Sequence, residues 1–141
     1  MKTLRMIVGV LAGIMMMVQS SAAQESTVER QGRYTVEKVE ATYAVNPGGT
    51  LYIRSSVGMI IVDSWDRNEV YVLAEKRVYE DREDLARELL DEIEVDMEQS
   101  QNDVRVEARV YRGRRFRNAP LRFRVSVPKQ YNLNLDTEGG Q

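Results

Sequence analysis

Thr50-Leu51-Tyr52-Ile53-Arg54-Ser55-Ser56-Val57-Gly58-Met59-Ile60-Ile61-Val62 carries more of the architecture than any other stretch, because its first part recurs near the end of the chain. Leu133-Asn134-Leu135-Asp136-Thr137-Glu138-Gly139-Gly140-Gln141 has aliphatic residues at the same first and third places. A hydroxyl residue stands at the fifth and glycine at the eighth. Self-similarity of this kind marks β architectures whose units bury their apolar faces by stacking on neighbours. In the first copy the chain passes Gly58 into Met59-Ile60-Ile61-Val62, the run of a strand covered on both faces. After Gly140 only Gln141 follows. The expectation is therefore a stacked β domain over 34–141, cut short at its C-terminus, with Leu133 and Leu135 on a strand whose next neighbour is missing. Such an apolar edge promotes self-association, here through residues 131–141. A nine-residue similarity of this kind also arises between unrelated β-rich segments, and a closed β-sandwich is the alternative.

The flanking sequence continues the strand pattern. Tyr34 and Val36 alternate, and Val39, Ala41, Tyr43 and Val45 alternate one step out of phase, which predicts a bulge near Glu37-Lys38. Asn46-Pro47-Gly48-Gly49 is a turn, since proline presets one dihedral and glycine accepts positive φ. Val70 to Ala74, Val95 to Met97, Val104 to Val110 and Leu121 to Val127 read as further strands. One amphipathic helix interrupts them. Asp81 is its expected cap, Glu83 and Asp84 lie in its first turn, and Leu85, Leu89 and Ile93 recur at intervals of four, with Ala86 and Leu90 widening the stripe. About eight strands and one short helix make the class mainly β.

The first segment lies outside this pattern. Lys2 and Arg5 precede an uncharged, mostly apolar run from Met6 to Val18, and Ser21-Ala22-Ala23 supplies the small residues of a cleavage site. That is an export signal over 1–23, with cleavage before Gln24. The run is shorter than the roughly 20 residues of a spanning helix. Residues 24–33 are polar and read as a flexible leader. Without Lys2 and Arg5, the 20 basic residues fall to 18 against 22 acidic ones. The chain has no cysteine, so it offers no disulfide framework and no thiolate site. It also has no histidine, which excludes Ser-His-Asp triads and histidine-bound metals. No cofactor, no metal and no enzyme activity is expected.

Charge is segregated along the chain. Residues 80–98 hold ten acids against Arg82 and Arg87, whereas 105–124 hold eight arginines against Glu107 alone. Arginine forks suit phosphates and carboxylates, and Tyr111 and Phe116 lie among them as stacking surfaces. Arg112, Arg114, Arg115 and Arg117 are accordingly the candidate polyanion-binding residues, on a presumed hairpin 105–124. Lipopolysaccharide, an acidic polysaccharide or extracellular DNA would fit, without specificity for a nucleic acid. A solvated hairpin face beside the acidic helix accounts for the same charges. Asp63, Asp66, Asn68 and Glu69 are oxygen donors at close spacing, but the spacing is not that of a calcium loop and a turn explains them equally. Trp65 is expected to pack over that turn. The helix acids lie along one face instead of confronting each other across a cleft, so they make no glycosidase pair.

Taken in order, Gly58-Met59-Ile60-Ile61-Val62, Trp65-Asp66 and Val70-Tyr71-Val72, then Val127-Pro128-Lys129 with Asn132-Leu133-Asn134-Leu135-Asp136-Thr137, resemble the bacterial toastrack or adhesin-type domain (the DUF4097-like group). The resemblance covers about residues 43–141. It implies the N-terminal portion of a solenoid-like β-fold and an exported, non-catalytic protein of the periplasm, cell envelope or cell surface. The partner it implies is an envelope component or surface polyanion. No family site residue carries over, because the matched positions are apolar and turn positions.

Overall fold

A computed structural model describes residues 24–110 and 121–137, which form nine strands and one helix in two mixed sheets. Sheet A contains β1 (Glu25–Gln31), β2 (Tyr34–Ala44), β5 (Glu69–Tyr79), β8 (Leu121–Pro128) and β4 (Met59–Trp65), in that order. Sheet B contains β6 (Ile93–Ser100), β7 (Asp103–Val110), β3 (Thr50–Ser55) and β9 (Asn132–Thr137). The helix α1 (Glu83–Asp91) joins β5 to β6 and packs against both and against β2. Among the described residues no helix is long and apolar enough to cross a membrane.

One core fills the space between the sheets. Phe123, Val125 and Val127 of β8 and Val70, Val72 and Ala74 of β5 enter it from sheet A. Leu51 and Ile53 of β3, Val104 and Val106 of β7, and Ile93 of β6 enter it from sheet B. Each strand contributes alternate residues, as its pleat requires. Burying a side chain of this size stabilises the fold by about 1.5–3 kcal/mol relative to leaving it in water.

The recurring motif has a structural counterpart. β3 and β9 are parallel neighbours, and Leu51 lies beside Leu133, Ile53 beside Leu135 and Ser55 beside Thr137. The first, third and fifth places of the two copies are thus in register. On its other side β3 pairs in parallel with β7, while β4 pairs in parallel with β8. The chain therefore passes from sheet B to sheet A twice in the same sense, once through β3 and β4 and once through β7 and β8, and lays one passage beside the other.

Gly58 makes the corner between β3 and β4. Its φ of 115° is open to glycine, and a Cβ there would meet the Leu121 carbonyl oxygen at the start of β8. Buried Ser55 braces the same corner, its hydroxyl donating to the Val57 carbonyl and facing the Val57 amide at 3.4 Å. In the first copy, Ser55 and Gly58 therefore have one task, a tight turn packed against the start of β8.

Several expectations change. Residues 24–33 are not a flexible leader: β1 pairs with β2 from Glu25–Glu40 to Gln31–Tyr34. Its side chains are all exposed, so it is held by its backbone ladder and leaves no hydrophobic pattern to read. β2 has no bulge, since its register with β5 is continuous from Tyr34–Tyr79 to Ala44–Glu69. Val36 instead faces away from the core, in register with Arg77 and Glu29. Asp81 does not cap α1; the N-cap is Arg82, and Asp81 pairs with Arg30 at 3.7 Å. Ile93 begins β6 opposite Val110, and the helix buries Ala86 and Leu90.

Candidate functional site

The outer face of sheet B gathers polar and aromatic side chains from four strands. Leu51, Ile53, Val104 and Val106 turn inward, so the intervening residues of β3, β7 and β9 turn outward. Register then aligns them into rows across the sheet. Asn134, Tyr52, Arg105 and Glu98 form one row, and Asp136, Arg54, Glu107 and Asp96 the next. Neighbouring members stand about 4.8 Å apart along each row. Between the rows runs a groove of about 220 Å³ lined by Tyr52, Arg54, Arg105, Glu107, Asn134 and Asp136.

The groove is braced by its own charges. Arg54 reaches Asp136 at 3.5 Å, Arg109 reaches Glu107 at 2.9 Å, and the Arg105 guanidinium lies 5.2 Å from the centre of the Tyr52 ring. These exposed pairs add little to stability, on the order of 0–1 kcal/mol each, but they orient donors and acceptors. Local desolvation and then the nearby Glu94 carboxylate raise the Asp96 pKa above the ordinary value. Arginines and carboxylates alternate, with an aromatic ring between them. The arrangement can bind a ligand through hydrogen bonds and ring contact, and it is not a one-signed surface for a polyanion.

Among the described residues, β7 and β8 do not form the expected hairpin. β7 lies in sheet B and β8 in sheet A, so the two strands do not pair. Arg105 and Arg109 belong to β7, whereas Arg122 and Arg124 of β8 stand opposite Glu75 and Leu73 of β5. Buried Leu121, Phe123 and Val125 face the core, so Arg122 and Arg124 are on the far face of sheet A. Nearness in sequence is dispersed over two faces because each strand turns its apolar side to the common core. Arg112, Arg114, Arg115 and Arg117, like the expected export signal 1–23, lie outside the described residues.

At the turn between β4 and β5, Trp65 donates its indole N–H to the Glu69 carbonyl at 2.8 Å and stands 6.5 Å from the Tyr71 ring. Packing over the turn was the reading from sequence. Asp66 pairs with Lys129 at 2.7 Å. Among the described residues no three side chains of metal-binding type converge.

The open end of the stack is the second surface. Among the described residues β9 is one edge of sheet B and β4 one edge of sheet A. Leu133 and Leu135 take the inward-facing places of β9, yet they remain 47% and 43% exposed. Ile60 and Val62 of β4, beside Phe123 and Val125, are only partly covered. The motif indicated an apolar edge here; the groove on the outer face was legible only after the register was known.

No protein-family model matches the chain, and neither a curated protein nor a solved structure matches it.

Proposed function

We propose that the chain is an exported, non-enzymatic binding or structural domain of the bacterial periplasm, cell envelope or cell surface. In its finer form the reading takes the two passages and β9 as the first rungs of a toastrack-type β-ladder. The in-register pairing of Leu51, Ile53 and Ser55 with Leu133, Leu135 and Thr137 is the observation that carries it. Parallel stacking of like units is how solenoid-like folds build one continuous core. It leaves the outer face of sheet B as a regular array of polar groups around Tyr52, suited to contact and not to bond-breaking. The absence of histidine and cysteine from the sequence supports the same reading, because neutral-pH proton transfer and thiolate chemistry lose their usual carriers.

The N-terminal sequence supplies the route. Expressed with its own leader in a bacterium, the protein should be recovered from the periplasm or medium with its N-terminus at Gln24 or within a residue or two. Replacing Leu11 and Ile14 of the apolar run with Arg should hold it in the cytoplasm. Recovery of intact Met1 in the membrane fraction of the unaltered protein contradicts export. Contact function is checked by retention on isolated envelope: Tyr52→Ala should weaken it while the unfolding midpoint stays within a few tenths of a molar of urea. Equal retention of both proteins removes the sheet B face from the reading.

A further inference from the structure

We propose that two copies of this chain join end to end through β9, pairing antiparallel about a two-fold axis at Asn134, so that each copy supplies a neighbouring strand beside the other's Leu133 and Leu135. The inference rests on the ladder reading and adds its partner.

The free edges differ in chemistry. β1 carries Glu25, Glu29 and Arg30, all exposed, and β6 carries Glu94, Asp96 and Glu98. Charges of this kind protect an edge from pairing. β6 is partly occupied as well, since Gln24 Nε2 donates to the Val95 carbonyl at 3.1 Å. Among the described residues β9 has neither protection: its one charge, Asp136, is engaged by Arg54, and its inward places hold half-exposed leucines. An apolar edge therefore lies at one end of the stack and guarded edges at the other.

The backbone of β9 sets the register. The Asn132 N–H bonds to the Gly49 carbonyl at 2.8 Å, on the side of β3. By alternation Asn134 and Asp136 also address β3, and the N–H and C=O groups of Leu133 and Leu135 point to the free edge. Placing Asn134 opposite its own copy sets Leu133 against the second copy's Leu135, and each such pair exchanges two hydrogen bonds. The leucines meet on the inward face. On the outward face Asn132 comes opposite Asp136, an amide donor against a carboxylate. Head-to-tail stacking would instead bring Asp136 beside the acidic row of β6, a like-charge contact. Self-complementarity of this kind closes the assembly at two copies, as an isologous contact does.

Asn134 would then occupy a non-hydrogen-bonded pair on the axis, where opposing Cα atoms approach to about 4.5 Å, inside the range a disulfide spans. The chain has no cysteine to interfere. Under mild oxidation the full chain carrying N134C should form a covalent dimer, and N132C should form at least tenfold less, because its position faces Asp136 and not itself. Sedimentation of the unaltered protein should show a concentration-dependent dimer that Leu133→Lys abolishes. Equal cross-linking of N134C and N132C, or an N134C chain that stays monomeric because its own continuation or another protein covers β9, overturns the proposal. A Tyr52→Cys/Asn134→Cys pair separates this from the ladder reading. Tyr52 and Asn134 are register partners within one chain, so an intrachain disulfide there leaves the ladder standing even when the dimer fails, and its absence removes both.

Discussion

Replacing the residue at the third place of each motif copy with alanine should have unequal effects, although the two sequences match there. Ile53 is 1% exposed and enclosed by both sheets, whereas Leu135 beside it on β9 is 43% exposed. Ile53→Ala removes buried methyl and methylene groups and leaves a cavity that cannot collapse freely, which costs about 2–5 kcal/mol, here about 3.5. Leu135→Ala removes a side chain scarcely more than half covered, and water fills the space. Only part of the roughly 1.5–3 kcal/mol for full burial is lost, about 1 kcal/mol. With a urea dependence near 1.5 kcal/mol per molar, the midpoints should fall by about 2.3 M and about 0.7 M. The single tryptophan, at the end of β4, reports the transition by fluorescence. The measurement belongs at low protein concentration, because a second copy over β9 would increase the cost at Leu135. Equal shifts for the two variants at every concentration would show that β9 is not the outer member of the stack.

Lys76 and Glu37 form a cross-strand ion pair at 3.3 Å with side chains only 10% and 17% exposed, and Ser26 donates to the same carboxylate at 2.7 Å. Lys76→Met alone leaves a covered carboxylate and should cost about 3 kcal/mol, while Glu37→Met with Lys76→Met should recover most of it; a double variant as unstable as the single one contradicts this. Gly58→Ala should cost more than 3 kcal/mol, through positive φ and the Leu121 carbonyl, against about 1 kcal/mol for Gly32→Ala, where φ is 64° and a Cβ meets nothing; similar unfolding midpoints remove the corner role. Burial, then the hydrogen bond to Glu40, pushes the Tyr71 hydroxyl up to about 12. Its proton is held more tightly in the folded chain than in the unfolded one, where phenols ionise near about 10. The resulting stability is complete below about pH 10 and is lost between about 10 and 12. Tyr71→Phe should flatten the fall of stability across that window, and an unchanged slope rejects the assignment.

Much of the fold was legible because alternation reports which side of a strand is buried. Val104, Val106 and Ala108, and Leu121, Phe123 and Val125, are core residues as their spacing indicates. Alternation does not report which sheet a strand joins. For that reason β7 and β8, adjacent in sequence and equally regular, read as a hairpin and are found in opposite sheets. β1 is not legible in the sequence because a strand with every side chain in water shows no pattern; its ladder with β2 is a backbone property. The phase change in β2 suggested a bulge because Val36 is buried on the outer face, a location local sequence does not separate from a register shift. At the candidate site, Tyr52 and Arg54 are the polar places of the first motif copy and Asn134 and Asp136 those of the second. The match of apolar places was visible, but the groove also needs Arg105 and Glu107, which only the parallel pairing of β3 with β7 brings alongside.

Nuclear Overhauser contacts between the backbones of β3 and β9 test the stacking of the two motif copies. The structure predicts a parallel pattern with Leu51 beside Leu133, Ile53 beside Leu135 and Ser55 beside Thr137. Contacts of Leu51 with Thr137, as antiparallel strands would give, a register displaced by one residue, or no contact between the segments would contradict it.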